Sequence, residues 1–255
     1  MDVSVLIPCY NAEATVVRCV ESVLAQTYQV SEILIYDDAS SDKTLATLQR
    51  QYGKHNMIKI FRGARNRGAG YARDFLLKKS QGDVLAFLDA DDFWYSNKIQ
   101  SQIHQMVLQD LDIVTSNYHL QFGSAISKMT RKPPHSITLR NLYFGNPIPM
   151  SMTIVKSNLI NTKDMPHIRR RQDYAYWFNI FLTNKNLRCG SVNEALGCYQ
   201  VRNDSISANK YKNILFNYHM FRNVLNFNAV LSGMLVCLNI ANWFFKRALE
   251  RHTYR

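Results

Sequence analysis

The chain has 255 residues, of which 47% are hydrophobic and 20% are charged, enough to bury a sizeable core in one large α/β domain or two small ones. Ten glycines and six prolines exclude a collagenous or low-complexity chain. The five cysteines are odd in number and contain no Cys-x-x-Cys pair, which argues against a disulfide scaffold or a structural zinc site and favours a reducing compartment. Asp2 stands where a signal peptide needs a basic region, so we expect a chain that is not exported.

The positive charge is concentrated in one part of the sequence. The formal net charge is +12, but residues 1–100 contain twelve Lys and Arg against twelve Asp and Glu. Residues 101–255 contain nineteen against seven, so the whole excess lies there. This asymmetry predicts an anionic partner such as nucleic acid, phospholipid or a diphosphate-linked substrate, and the alternative is a solvated basic surface.

Apolar runs typical of strands alternate with helical periodicity along the first part of the chain. The predicted strands are 3–7, 33–36, 57–61 and 84–88, and the predicted helices are 14–26, 44–52 and 70–79. This alternation predicts a mostly parallel sheet with helices on both faces. In such sheets ligands bind beyond the carboxyl ends of the strands, and here acidic residues follow two of those ends.

The remaining chain gives weaker signals. Residues 123–140 are rich in Ser, Thr, Lys, Arg and Pro, which predicts a loop or a mobile flap rather than packed structure. A strand is predicted at 150–155, an apolar-faced helix at 174–182, and helical structure from residue 213 onward.

Residues 229–245 are apolar but shorter than the roughly 20 residues that a spanning helix needs. Asn239 and Asn242 interrupt the apolar run, and basic residues follow it. Two interpretations remain open: a core helix, or a helix in the membrane interface with Trp243 and Phe244 among the lipids. A transmembrane span is the least favoured.

Two acidic clusters follow predicted strands. Asp89, Asp91 and Asp92 lie within the sequence FLDADD, and carboxylates this close repel one another unless a cation binds them. Hard oxygen ligands suit Mg²⁺ or Mn²⁺ bridging to a diphosphate, and the alternative is an acidic turn that caps the next helix. Asp37 and Asp38 end another strand, where a carboxylate can accept hydrogen bonds from a nucleobase imide or a ribose hydroxyl.

A dinucleotide-binding dehydrogenase is excluded by the run RGARNRGAGYAR, which lacks the third glycine of that fingerprint and follows the third strand instead of the first. The motifs VSVLIPCYN, SVLAQTY, EILIYDDASSDKT, NRGAGYARD and GDVLAFLDADD, in this order within residues 1–95, resemble the N-terminal half of an inverting family 2 glycosyltransferase. The resemblance implies the GT-A fold, a mostly parallel Rossmann-like sheet flanked by helices, here with a C-terminal helical extension. It also implies a nucleotide-sugar donor, Mn²⁺ or Mg²⁺, and a single displacement.

The resemblance assigns roles to residues at the strand ends. It implies that the metal binds Asp89 and Asp91, with Asp91 as the expected direct ligand. It implies that Asp38 binds the nucleoside and that Pro8 and Tyr10 wall the base.

Further roles fall on basic residues and on the second half of the chain. The resemblance implies that Arg65 and Arg73 contact the base or the diphosphate. It implies that Asp173 is the catalytic base, although Gln172 stands where the family usually has a first acid. The sequence YQVRNDSIS at 199–207 resembles a diphosphate-binding stretch of the family, in which Arg202 is the expected contact.

The mechanism follows from the charge that develops on the leaving nucleoside diphosphate. A metal on Asp91 stabilises that charge, and Asp173 accepts the proton of the attacking hydroxyl. The chain looks like bacterial enzymes that extend O-antigen or capsule repeat units. That resemblance implies transfer of a hexose, with glucose or galactose favoured, from a UDP-sugar to an N-acetylhexosamine on a polyprenyl diphosphate, in a β-1,3 linkage. Three arginines, 169–171, are predicted to hold the acceptor diphosphate.

These expectations divide the chain into three parts. Residues 1–105 form a nucleotide half and residues 106–210 an acceptor half that carries the base. Residues 211–255 form an amphipathic helical segment that associates with an anionic membrane surface, at the cytoplasmic face of the inner membrane. The alternatives are a non-catalytic nucleotide-sugar-binding relative or a transferase that uses dTDP-rhamnose or a GDP-sugar. A nucleic-acid partner is disfavoured because the aromatic residues lie in apolar helices and not among Lys and Arg.

Overall fold

Strands and helices alternate along the first part of the chain, as the hydrophobic pattern predicts. The structure, a computed structural model, describes residues 1–160, 165–201 and 210–252. The strands here are β1 (Val3–Cys9), β2 (Glu32–Asp37), β3 (Ile58–Arg62) and β4 (Val84–Phe87). The helices are α1 (Val16–Leu24), α2 (Thr44–Tyr52) and α3 (Ala69–Lys79). Every residue of β1, β2 and β4 is buried, because helices cover both faces of these parallel strands.

The rest of the chain adds more strands, with helices between and after them. The strands are β5 (Phe93–Trp94), β6 (Ile113–Phe122), β7 (Ala125–Arg131), β8 (Ser136–Ile137), β9 (Ile154–Lys156) and β10 (Cys189–Val201). The helices are α4 (Lys98–Leu108), α5 (Leu139–Tyr143), α6 (Gln172–Thr183), α7 (Lys210–His219) and α8 (Ala229–His252). The predicted helix at 174–182 is therefore confirmed as α6.

All these strands join one mixed sheet in the order β3-β2-β1-β4-β9-β6-β10-β5, with β7 beside β6 and β8 beside β10. The pairs β1–β2, β1–β4, β2–β3 and β6–β10 are parallel. The antiparallel β9 lies between β4 and β6 and so connects the sequence-predicted sheet to the strands of the later chain. The expected mostly parallel α/β sheet is confirmed.

The prediction that residues 123–140 form a loop is wrong. Strand β7 pairs antiparallel with β6 through a turn at Gly123, whose φ of +59° suits glycine, and β8 pairs with β10. Exposure explains the error, because none of the described residues of β7 is buried and a strand on the surface can have the polar composition of a loop. The strand predicted at 150–155 is half right, since a 3₁₀ turn (Met150–Met152) precedes β9.

Helix α8 packs against the core with part of its surface and exposes apolar side chains on the rest. Leu235 and Val236 are buried in the core, whereas Met234 and Phe244 are exposed. The two asparagines that interrupt the apolar run bind the end of α5: Asn239 Nδ2 donates to the Tyr143 carbonyl (2.9 Å), and Asn242 Nδ2 donates to that of Phe144 (2.8 Å). Within the described part of the chain, no helix combines the length and hydropathy needed to cross a membrane.

Candidate active site

The carboxyl ends of β1, β2 and β4 meet at one edge of the sheet because these strands are parallel neighbours. This edge brings together Tyr10, the pair Asp37 and Asp38, and the acidic run 89–92. The alternation of strands and helices in the sequence predicted this convergence.

Asp38 is almost completely buried, with 2% of its surface exposed. Its carboxylate accepts the backbone N–H groups of Arg67 (3.0 Å) and Gly68 (2.7 Å), and the φ of Gly68 is +90°. Asp38 therefore fixes the loop that leads into α3. The sequence resemblance predicts a nucleoside contact at Asp38 and gives no sign of this structural role.

The other residues expected around the base differ in exposure. Pro8 is buried within β1, so it offers no open surface, whereas Tyr10 is 47% exposed. Arg65 is exposed in the loop between β3 and α3. The guanidinium of Arg67, which the sequence did not single out, lies 3.4 Å from the centre of the Tyr71 ring.

The acidic run contains side chains in two environments. Asp92 is fully buried and accepts the Gln200 backbone N–H (2.8 Å), so it ties the run to β10. Burial, with Asp91 and Asp89 adding to it, raises the pKa of the Asp92 carboxyl well above its usual range. Asp89 and Asp91 are partly exposed, and Asp91 accepts a hydrogen bond from Arg18 through its backbone carbonyl (2.9 Å).

Arg73 lies among these acids. Its side chain is 4% exposed and forms an ion pair with Asp89. Burial opposes its charge, but Asp89, Asp173 and Asp92 outweigh burial and raise the pKa of Arg73. Its Nε and Nη1 are buried without a hydrogen-bond partner among the described residues. Arg73 thus connects the acidic run electrostatically to the predicted base.

Asp173 occupies the first turn of α6. The turn into this helix is made by Arg171, which adopts the left-handed conformation with a φ of +63°. The Asn146 side-chain amide donates to Asp173 Oδ2 (2.9 Å), whereas Gln172 Oε1 is buried without a partner in the described ranges. Sequence analysis missed Asn146, although the triplet Gly145-Asn146-Pro147 is a signal for a fixed turn.

The three arginines 169–171 lie in different surroundings. Arg169 is exposed, and the Arg170 guanidinium lies 4.5 Å from the centre of the Phe216 ring. Burial lowers the pKa of Arg171, against the effect of Asp173. Arg202 lies outside the described residues.

An open cleft of about 530 Å³ adjoins Asp91 on the α1 side. Arg18 lines it and donates to Gln121 Oε1 (3.0 Å), with its guanidinium 4.6 Å from the centre of the Phe93 ring. These residues come from distant parts of the chain, so no local sequence pattern pointed to the cleft.

The carboxylates at this edge suit a metal ion that the substrate also helps to bind. Across residues 1–160, 165–201 and 210–252 there is no group of three or more His, Cys, Asp or Glu arranged around a metal position. Mg²⁺ and similar ions are commonly bound by one or two carboxylates together with substrate phosphates. Asp91 and Asp89 fit that pattern, with Asp89 also neutralised by Arg73.

Comparison with known proteins agrees with this geometry. Residues 4–175 match the glycosyl transferase family 2. The chain belongs to this family. It is therefore a glycosyltransferase, as the sequence resemblance implied.

Two relatives in this family come from Escherichia coli, and both are named UDP-Glc:alpha-D-GlcNAc-diphosphoundecaprenol beta-1,3-glucosyltransferases. WfaP is 32% identical over 222 residues, which cover 87% of this chain and 86% of WfaP. WfgD is 32% identical over 215 residues, which cover 83% of this chain and 82% of WfgD.

Solved structures of similar fold include Staphylococcus aureus TarS (residues 1–349) in complex with UDP-GlcNAc. The TM-score is 0.72 at 19% identity, over 96% of this chain and 73% of that one. The mannosyltransferase PcManGT of Pyrobaculum calidifontis, in complex with GDP-Man and Mn²⁺, gives a TM-score of 0.69 at 15% identity, over 94% of this chain and 70% of that one. The expected GT-A fold is confirmed.

Proposed function

We propose that this family 2 glycosyltransferase moves a hexose, glucose or galactose, from a UDP-sugar to an N-acetylhexosamine carried on a lipid diphosphate. The linkage formed is β-1,3, and the product belongs to O-antigen or capsule biosynthesis. The names of WfaP and WfgD support the donor, the acceptor and the linkage. One observation of the structure carries the proposal: Arg73 forms an ion pair with Asp89 of the acidic run, and the charges of Asp89 and Asp173 both raise the pKa of Arg73.

On the donor side, Asp38 and the loop that it fixes bind the nucleoside together with the exposed Tyr10 and Arg65. Arg202 contacts the diphosphate. Asp91, with Asp89, holds Mn²⁺ or Mg²⁺, which when bound supplies positive charge to the leaving diphosphate.

On the acceptor side, Asp173 accepts the proton of the attacking hydroxyl group. The reaction is one displacement at the anomeric carbon, so it needs a base but no carboxylate nucleophile. Burial, reinforced by nearby acids, raises the pKa of Cys9 and of Cys19, which disfavours a thiolate at this edge. The α-linked donor then gives a β-linked product.

The test is nucleoside diphosphate release from a panel of UDP-, GDP- and dTDP-sugars, with and without Mn²⁺, using GlcNAc- and GalNAc-diphosphate-lipid acceptors. We expect turnover of UDP-glucose or UDP-galactose that needs the metal and is lost in Asp173→Asn. NMR of the product gives the anomeric configuration. Asp83→Asn is the control, because Asp83 precedes β4 at the opposite edge of the sheet.

Each part of the proposal has its own contrary result. Turnover of a GDP- or dTDP-sugar overturns the donor, turnover without metal overturns the cofactor, and an α-linked product overturns inversion. Metal-dependent UDP binding without turnover of any donor overturns the proposed acceptor.

The lipid-linked acceptor also bears on the role of α8. We assign to this helix the binding of an anionic membrane surface at the cytoplasmic face of the inner membrane. Val230, Met234, Phe244 and Phe245 are all more than half exposed on this helix. Its last turns contain Lys246, Arg247 and Arg251 in sequence. Exposed apolar side chains followed by basic residues are typical of helices that lie in the interface of an anionic bilayer.

Co-sedimentation with vesicles tests this assignment. We expect binding to phosphatidylglycerol vesicles, weaker binding to phosphatidylcholine, and loss of binding in the double variant Phe244→Ser, Phe245→Ser. Leu215→Ser is the matched control, because Leu215 is 62% exposed on α7. Equal binding of the double variant and the control overturns the assignment.

A further inference from the structure

Asp173 is held by a side chain from outside its own helix. Asn146 lies between α5 and the 3₁₀ turn, and its Nδ2 donates to Asp173 Oδ2 (2.9 Å). Asn146 Oδ1 accepts the backbone N–H of Ile148 (3.1 Å). The two contacts use opposite ends of the amide, so they fix which end faces the carboxylate.

The backbone around Asn146 is itself restrained. Gly145 has a φ of +142°, a conformation that side chains disfavour, and Pro147 restricts the chain on the other side. Before Gly145, the carbonyls of Tyr143 and Phe144 accept hydrogen bonds from α8. The amide of Asn146 is therefore presented to Asp173 by a fixed segment of chain.

The neighbouring Arg73 does not provide this contact, because its hydrogen bond goes to Asp89. We propose that Asn146 is a positioning residue, whose amide holds the Asp173 carboxylate in the orientation that receives the acceptor proton. This inference rests on the proposed function, in which Asp173 is the base. A fixed base matters because small displacements from the productive geometry cost large factors in rate.

The decisive variant is Asn146→Asp. It keeps the size of the side chain and an oxygen for the Ile148 N–H, but it replaces the donor that faces Asp173. We expect kcat to fall about 10- to 100-fold, with the KM values of donor and acceptor changed less than about 2-fold. In the Asp173→Asn background the same substitution should lower the residual rate by less than about 2-fold, because its effect passes through Asp173.

Asn146→Ala repeats the measurement without adding a carboxylate, and it should give the same loss of kcat. UDP titration and thermal unfolding report whether each variant is folded. The matched control is Asn141→Ala, five positions earlier, because Asn141 belongs to the capping box of α5. This control should lower the melting temperature and leave kcat unchanged.

The results separate the two claims. A kcat of Asp173→Asn within about 10-fold of the wild type overturns the proposed base. If Asp173→Asn loses more than that and folded Asn146→Asp has wild-type kcat, the base stands and the role of Asn146 is overturned. A raised KM in place of a lowered kcat, or an equal loss in both backgrounds, also overturns it.

Discussion

In the proposed nucleotide half, residues 1–105, the buried carboxylate of Asp38 accepts backbone N–H groups from two residues of one loop. In the proposed acceptor half, residues 106–210, the part-buried carboxylate of Asp173 accepts a hydrogen bond from one side-chain amide of a distant segment. A buried charge without hydrogen-bond partners is costly, so Asp38 depends on its loop for partners and in turn stabilises that loop. Asp173 is held more lightly, so we expect its substitution to change the rate more than the fold.

The largest expected effect is on catalysis in the acceptor half. Asp173→Asn should lower kcat by about 10²- to 10⁴-fold, the range typical of a lost general base. The free energy of unfolding should change by less than about 1 kcal/mol, since an amide still accepts the Asn146 N–H. Steady-state kinetics and urea unfolding measure the two quantities, and a large loss of stability would contradict the contrast with Asp38.

The second effect concerns stability in the nucleotide half. Asp38→Ala should lower the free energy of unfolding by about 1.5–3 kcal/mol, because the N–H groups of Arg67 and Gly68 lose a charged acceptor. UDP should also bind more weakly as the loop loosens. Chemical unfolding and calorimetric titration check both, and unchanged stability would remove the structural role of Asp38.

The third effect concerns the contact between the halves. A Cβ at Gly70 in α3 would stand 2.5 Å from the Pro166 carbonyl oxygen, in the segment that leads into α6. Gly70→Ala should therefore lower the free energy of unfolding by about 1–3 kcal/mol and also reduce kcat several-fold. Gly82→Ala is the control, because a Cβ there would clash with Ser4 (2.7 Å) away from the site. It should lose stability alone, and equal kinetic losses would show that the contact at Gly70 has no special effect.

The smallest effect concerns the buried Lys98, whose Nζ donates to Gln102 Oε1 (2.6 Å) and lies 4.0 Å from the centre of the Trp94 ring. Burial lowers the pKa of Lys98 well below the usual value. Below about pH 10, the unfolded chain therefore binds more protons at this residue than the folded chain does. Lys98→Met should therefore be more stable than the wild type at pH 7, with an advantage that shrinks as the pH rises.

Urea unfolding between pH 6 and 10 measures this difference. Lys79→Met, at an exposed lysine near Phe75, should give no such trend. An advantage for Lys98→Met that stays constant with pH would show that packing and not charge is responsible.

The same contrast explains what the sequence could predict. Strands β1, β2 and β4 are buried on both faces, so their apolar runs and the acids that follow them are local signals. Strand β7 is solvent-exposed and has the composition of a loop, which led the prediction astray. The partner of Asp173 lies 27 positions away along the chain, and no periodicity connects residues so far apart.

Arg73 shows the same limit within the nucleotide half. Its motif predicts a contact with the base or the diphosphate, but only the folded chain reveals its ion pair with Asp89. An arginine that contacts a base and one that neutralises a carboxylate look alike in sequence, because the partner decides the role. Which of these roles a charged residue fills depends on the packing of α3 against the sheet.

The hydrogen bonds from Asn239 and Asn242 connect helix α8 to the end of α5. The two carbonyls that they occupy lie immediately before Gly145 and Asn146. Shortening the chain before residue 229, or displacing α8 with a bulky C-terminal fusion, would leave those carbonyls to water. The segment beside Asp173 would then lose this restraint. Such a preparation should turn over slowly even on a short, detergent-soluble acceptor, so screening for activity calls for an intact, unencumbered carboxyl terminus.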